Sequence, residues 1–345
     1  MERLQSALGR FNRVSLLAAP TPIQRLERLE QALGADKRGI RLFVKRDDLM
    51  DIGGGGNKLR KLEYLIADAK AQGCDTFITT GGIQSNHARL SAAAAARYGL
   101  ACELMLVDVV PDQEPAYHQS GNLLLDDLFG AAVHLLPGDQ DAVAHAHARA
   151  DALAGEGRKA YVVGMGGSSP LGAIGYTRCA LEIAQHEQQN DQHFDRIIIP
   201  NGSAGTQAGL VAGLTLAGDD PTRLLAFTVL APLEQAQSDT AKLAAATLAL
   251  LAPDACLDDD AVRIDGSQRG AAYGIPTDAM IEAVRLMAST QGLLLDPVYS
   301  GKAFAGLIAA VRGGGIADGS DILYIMTGGT PALFAYPQTL RQGGR

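Results

Sequence analysis

The chain has 345 residues, 47% apolar and 20% charged, with a formal charge of −8. Such a composition supports a sizeable two-lobed globular core and excludes global disorder. No Lys/Arg cluster offers the basic stripe that a nucleic-acid backbone requires, and no run reaches the roughly 18–20 apolar residues of a membrane span.

The first pattern along the chain is Lys45-Arg46-Asp47-Asp48, followed by Gly53-Gly54-Gly55-Gly56-Asn57-Lys58. Four successive glycines permit backbone conformations closed to other residues and a close approach to a ligand. Leu62, Leu65 and Ile66 then share one face, which predicts a helix beginning near Asn57. Lys58 stands at its N-terminus, where the helix dipole disfavours a cation. Its amine is either exposed, or depressed in pKa and usable as a nucleophile. A Walker-type phosphate loop fits poorly, because no Ser or Thr follows Lys58 and the glycine spacing differs.

Thr76 to Thr80 reads as a strand ending at Gly81-Gly82, and Ser85-Asn86-His87 follows. This polar turn either presents hydrogen-bond donors to an anion or is a helix N-cap formed by Ser85 or Asn86. His87 alone reads as a surface or capped histidine. The alanine-rich stretch Ser91 to Arg97 predicts a close-packed helix starting soon after Ser85.

A second strand, Arg196 to Pro200, leads into Gly202-Ser203-Ala204-Gly205-Thr206 and a small-residue helix over Gln207 to Gly213. Backbone N–H groups and two hydroxyls at such a turn make a phosphate cup. The spacing is not that of a dinucleotide fingerprint, and no suitably placed acidic residue follows to hold a ribose. Gln235 to Leu251 predicts another helix. Asp258-Asp259-Asp260 then reads as a solvated turn, not a metal site, since adjacent side chains diverge.

Tyr273 sits in a Gly/Pro loop, and Asp296-Pro297-Val298-Tyr299-Ser300-Gly301-Lys302 presents a second tyrosine. Tyr299 either stacks on a flat ring or is a core tyrosine with a satisfied hydroxyl. A third strand, Ile322 to Met326, ends at Thr327-Gly328-Gly329. Strand, glycine loop and Ala/Leu-rich helix recur in that order, the punctuation of βα units in an α/β fold. The loops fall at the carboxyl ends of strands, where open sheets bind ligands. Cys74, Cys102, Cys179 and Cys256 are scattered, which suggests reduced thiols and no disulfide framework or zinc site. The apolar run Val14 to Pro20 is shorter than a signal-peptide core, so a cytoplasmic location is expected.

Together these segments, from about Pro20 to Tyr336, resemble the family of pyridoxal-phosphate enzymes that includes D-cysteine desulfhydrase, 1-aminocyclopropane-1-carboxylate deaminase and L-cysteate sulfo-lyase. The resemblance implies a tryptophan-synthase-β-like fold (fold type II) with two lobes, each a mostly parallel sheet flanked by helices. A large lobe would comprise residues 1–56 and 167–345, a small lobe residues 57–166, and the assembly would be a homodimer.

It further implies that Lys58 carries pyridoxal 5'-phosphate as a Schiff base and serves as the base at the substrate Cα–H. Asn86 would meet the cofactor's phenolic oxygen, Gly202, Ser203, Ala204, Gly205 and Thr206 its phosphate, and Tyr299 would lie near the pyridine ring. Ser85 and Tyr273 would line the side of a small amino-acid substrate. Ser300 and Thr327 stand where the deaminase pattern has glutamate and leucine. A hydroxyl from one of them leaves the pyridine nitrogen nearer neutral, which suits simple β-elimination. With Leu59, which also follows the desulfhydrase pattern, these departures imply cleavage of D-cysteine to pyruvate, hydrogen sulfide and ammonia. L-Cysteate and 1-aminocyclopropane-1-carboxylate are the alternative substrates, and a metabolite-binding relative without turnover is the non-enzyme alternative.

Overall fold

The computed structural model describes residues 1–111 and 113–341. Its strands are β1 Ile23–Arg25, β2 Arg41–Arg46, β3 Thr76–Gly82, β4 Ala101–Asp108, β5 Ala132–Pro137, β6 Ala160–Val163, β7 Arg196–Asn201, β8 Leu224–Thr228, β9 Arg263–Asp265 and β10 Asp321–Met326. The helices are α1 Glu2–Leu8, α2 Glu27–Leu33, α3 Lys58–Ala71, α4 Asn86–Tyr98, α5 Asn122–Leu128, α6 Ala142–Gly155, α7 Pro170–Asn190, α8 Gly205–Ala217, α9 Leu233–Leu251, α10 Asp278–Gln291, α11 Ser300–Arg312 and α12 Pro337–Leu340.

Two sheets result, a six-stranded one in the order β1-β2-β10-β7-β8-β9 and a four-stranded one in the order β5-β4-β3-β6. Apart from the antiparallel β1–β2 pair, all pairings are parallel. The central strands β3 and β10 are almost wholly buried. Parallel strands covered by helices on both faces need apolar, β-branched side chains throughout, and Thr76-Phe77-Ile78-Thr79 and Ile322-Leu323-Tyr324-Ile325 supply them.

The large sheet buries one face against α2, α10 and α11, through Leu29, Met287, Phe304 and Ile308, and the other against α7, α8 and α9, through Tyr176, Leu210 and Ala244. Helix α8 lies close on α7. A Cβ on Gly209 would fall 2.1 Å from the Ala173 carbonyl oxygen, so only glycine fits there. Helix α3 joins the sheets: Leu59, Leu62, Leu65 and Ile66 enter the core of the four-stranded sheet, while Arg60 meets α7 in a buried ion network. The carboxyl ends of β2, β3, β7 and β10 therefore converge, each followed by a polar turn. In the six-stranded sheet the chain runs outward from β7 through β8 and β9 and returns as β10 on the other side of β7, which opens a crevice between those turns.

Candidate active site

Lys58 is placed by contacts at both ends of the chain. Gly56 forms an isolated antiparallel bridge with Gly328, and the Asn57 N–H donates to the Thr327 carbonyl at 3.0 Å. The two backbones are so close that a Cβ on Gly328 would lie 2.7 Å from Gly56 Cα, and both glycines have positive φ, 83° and 132°. Arg89 on α4 donates to the carbonyls of Gly53 and Gly55, fixing the rest of the loop. The Lys58 amine opens on the cavity without an ion pair among the described residues. Burial lowers its pKa to about 8, and the Asp296 carboxylate partly restrains the fall. Of the two readings of this lysine, the structure has the amine with the depressed pKa.

The turn after β7 has an unusual backbone. Ala204 has φ 64° and ψ −38°, and the Gly205 N–H donates back to the Ser203 carbonyl at 2.7 Å, a γ-turn that a non-glycine residue adopts only under strain. The thirteen-residue helix α8 starts directly behind it, so its N-terminal dipole faces the turn.

Lys61, one helical turn after Lys58, reaches the same place and was not read as a site residue from the sequence. Its Nζ donates to the Gly166 carbonyl at 2.9 Å and to Ser168 Oγ at 3.1 Å, and Ser168 donates to Ser203 Oγ at 2.9 Å. A Cβ on Gly205 would fall 2.6 Å from that nitrogen. Lys61 is fully buried and has no carboxylate partner among the described residues. Desolvation, then the neighbouring Lys58, push its pKa well below the usual lysine value. The i, i+3 spacing of the two lysines was the signal for it.

Ser85 caps α4, its Oγ accepting from the Ala88 N–H at 3.1 Å, and it also lines the cavity. Cap and cavity wall thus coincide in one residue. The N–H groups of Asn86 and His87 have no partner among the described residues. His87 is buried, not a surface group. Its Nε2 meets Thr79 Oγ1 at 2.9 Å, and that hydroxyl donates onward to the Val163 carbonyl, so Nε2 must carry the proton. Burial and the two lysines hold the ring neutral by driving its pKa far down.

Tyr273 and Tyr299 share a hydroxyl–hydroxyl hydrogen bond of 2.7 Å with their rings edge to face, and both line the cavity. Asp296 is buried beneath Tyr299, accepting from the N–H groups of Val298, Tyr299 and Ser300 and from Ser300 Oγ at 2.6 Å. Ser300 is therefore committed to Asp296 and fully buried, whereas Thr327 lines the cavity with its hydroxyl unpartnered among the described residues.

These groups line one cavity of about 430 Å³, Gly202, Ser203, Ala204 and Thr206 together with Ser85, Asn86 and Tyr273. Its chemistry fits pyridoxal 5'-phosphate. A cup of backbone and hydroxyls lies at a helix N-terminus beside the buried Lys61 amine, which has no carboxylate partner among the described residues, and the Lys58 amine of lowered pKa, a hydroxyl and an aromatic ring face the space between.

Fold and cavity define a class. The family model described as "Pyridoxal-phosphate dependent enzyme" matches residues 14–328, and the chain belongs to that family. Within it, the chain is 43% identical over 342 residues to D-cysteine desulfhydrase of Serratia proteamaculans (strain 568), covering 96% of this chain and 98% of that one. It is 42% identical over 329 residues to D-cysteine desulfhydrase of Salmonella newport (strain SL254), covering 95% and 97%. A crystal structure of an ACC deaminase homologue superposes with a TM-score of 0.87 at 34% identity, covering 99% of this chain and 98% of that one. The fold is thus the fold type II α/β arrangement expected from the sequence.

Proposed function

We infer that the chain is a pyridoxal-phosphate-dependent carbon–sulfur lyase that converts D-cysteine and water to pyruvate, hydrogen sulfide and ammonia. The observation that carries this reading is the near-full-length identity to D-cysteine desulfhydrases. The cavity agrees: among the described residues that line it Lys58 is the only Lys or Arg and His87 is held neutral, so none of them offers a second cation to the sulfonate of L-cysteate. Cyclopropane opening finds no carboxylate at position 300, where Ser300 is bonded to Asp296.

When bound, pyridoxal phosphate withdraws electrons from the substrate and so acidifies its Cα–H. Lys58, with its lowered pKa, would hold the cofactor covalently and, once released, take the Cα proton. The cup from Gly202 to Thr206 and the Lys61 ammonium would hold the phosphate. Thr327 would offer its hydroxyl to the pyridine nitrogen and Asn86 its amide to the phenolic oxygen. The free N–H groups at the start of α4, with Ser85, suit the substrate carboxylate. The Tyr273–Tyr299 phenol pair would stand beside the departing thiol. Burial raises both phenols, Tyr273 to about 12, so they remain protonated donors at neutral pH.

A homodimer, a cytoplasmic location and a small lobe spanning residues 57–166 belong to the same reading. The family resemblance supports the homodimer and the small lobe; for the location, no helix among the described residues is long and apolar enough to cross a membrane. Purified protein supplied with cofactor should release sulfide and pyruvate from D-cysteine and no sulfite from L-cysteate. Turnover of L-cysteate alone would reject this substrate.

A further inference from the structure

Asn122, the first residue of α5, does not itself line the cavity but fixes what a cavity residue can do. Its Nδ2 has two hydrogens. One is donated to the backbone carbonyl of Gln84 at 3.0 Å and the other to Asn86 Oδ1 at 2.9 Å. Its own N–H donates to Gln84 Oε1 at 2.9 Å, and Gln84 Nε2 donates to the Tyr117 and Ser120 carbonyls, so the backbone around Asn122 is anchored. Asn122 is fully buried.

A backbone carbonyl only accepts. If the Asn122 carboxamide were reversed, its oxygen would face the Gln84 carbonyl and lose that bond, so the orientation of Asn122 is set by main chain. The second hydrogen then requires an acceptor at Asn86, which places Asn86 Oδ1 toward α5 and leaves Asn86 Nδ2 on the cavity side. There Nδ2 has no partner among the described residues, and it lies 2.6 Å from where a Cβ on Gly329 would be.

We propose that Asn122 is a positioning residue that holds the Asn86 amide with its N–H₂ toward the cavity, so that Asn86 can only donate a hydrogen bond to the cofactor. The proposal rests on the assignment of Asn86 to the phenolic oxygen. That oxygen carries negative charge and needs a donor, so a reversed amide would place oxygen against oxygen. With Asn122 removed, both amide orientations become open to Asn86.

The test compares Asn86→Ala, Asn122→Leu, Asn122→Ala and the double variant Asn86→Ala/Asn122→Ala. Readouts are the dissociation constant for pyridoxal 5'-phosphate and the absorption band of the bound cofactor across pH. Thermal melting of each apoprotein shows which variants fold, and having two replacements at position 122 keeps the comparison available if one does not. Asn86→Ala should weaken cofactor binding by on the order of tenfold, the scale of one hydrogen bond to a charged group, and shift the band. The Asn122 variants should move both readouts in the same direction by a smaller factor, about threefold or more. Asn122→Ala should add nothing in the Asn86→Ala background.

An unchanged band and affinity in both Asn122 variants, with Asn86→Ala altered, would overturn the relay and leave Asn86 at the cofactor. Additive effects in the double variant would also overturn it, because Asn122 would then act by another route. No change in Asn86→Ala itself would remove the assignment on which the relay depends.

Discussion

Helix α3 carries two kinds of buried cation. Arg60 is 1% exposed and surrounded by acceptors: Nε and Nη2 bond both oxygens of Asp47 at 2.9 Å, and Nη1 and Nη2 bond both oxygens of Glu182 at 2.7 and 2.8 Å. Lys45 and Tyr176 join the set, at 2.8 Å to Glu182 and 2.6 Å to Asp47, and Thr21 Oγ1 accepts from Arg60 Nη2 and donates to Asp47 Oδ1. The guanidinium is raised well above its ordinary pKa even though burial opposes it. On the cavity side, half-buried Lys58 and fully buried Lys61 lack carboxylate partners among the described residues, and both are depressed. One helix thus joins a saturated network, which fixes position, to an unsaturated pair, whose uncompensated desolvation makes one amine available for chemistry and leaves the other to gain its counter-charge from a ligand.

The sharpest way to break this contrast is Lys58→Ala. Borohydride reduction of the cofactor-supplied protein should label Lys58 in peptide mapping, and the variant should lose the label together with at least 10²–10⁴ of the rate, the usual contribution of a positioned base. A label on another lysine would reassign the site.

Glu182→Ala tests the saturated side. It removes the carboxylate that pairs with Lys45 and one of the two that pair with Arg60 and should cost about 3–5 kcal/mol in denaturant unfolding, with or without cofactor.

Lys61→Met should behave in the opposite sense. Cofactor affinity should fall by about tenfold or more, the scale of one charge-assisted hydrogen bond, while the apoprotein melts at the same or a higher temperature. The sign follows from linkage. A lysine depressed on folding binds fewer protons in the folded state, so its cost is full below the folded pKa and fades as pH rises from there toward 10.5. The gain in melting temperature should shrink over that interval. A destabilised apoprotein at pH 7 would show that Lys61 serves the fold.

The mildest effect concerns pH. The rate at which apoprotein captures pyridoxal phosphate on Lys58 should rise with pH and level off above about 8, where the amine has lost its proton. Levelling near 10.5 would mean that burial does not act on this group.

Much of this was legible in the sequence. The strands read at Thr76, Arg196 and Ile322 are β3, β7 and β10, and the helices expected after Asn57, Ser85 and Gly202 are α3, α4 and α8. Each is a strong local pattern, apolar and β-branched residues stopping at glycine, followed by helical periodicity. Tertiary partnerships were not legible. Arg60, Asp47 and Glu182 meet from three separate segments, and nothing in local composition marks them as partners. Which hydroxyl of Ser300 and Thr327 faces the cavity depends on Asp296 capturing Ser300, a contact made by the turn into α11. His87 was expected at a surface or a cap because its role depends on Thr79 and Val163, two neighbouring strands of a sheet that a single segment cannot reveal.

The Gly56–Gly328 bridge also bears on how the protein is made. The turn that aims Lys58 closes only when β10 has entered the sheet between β2 and β7, about 270 residues further along the chain. On a ribosome adding 5–20 residues per second, the early segments wait many seconds for that strand. Until it arrives, the lysine has no fixed place and no reason for an unusual acidity. A nascent chain should therefore react with aldehydes like any exposed lysine, and acquire its selective amine late, in the same event that completes the large sheet.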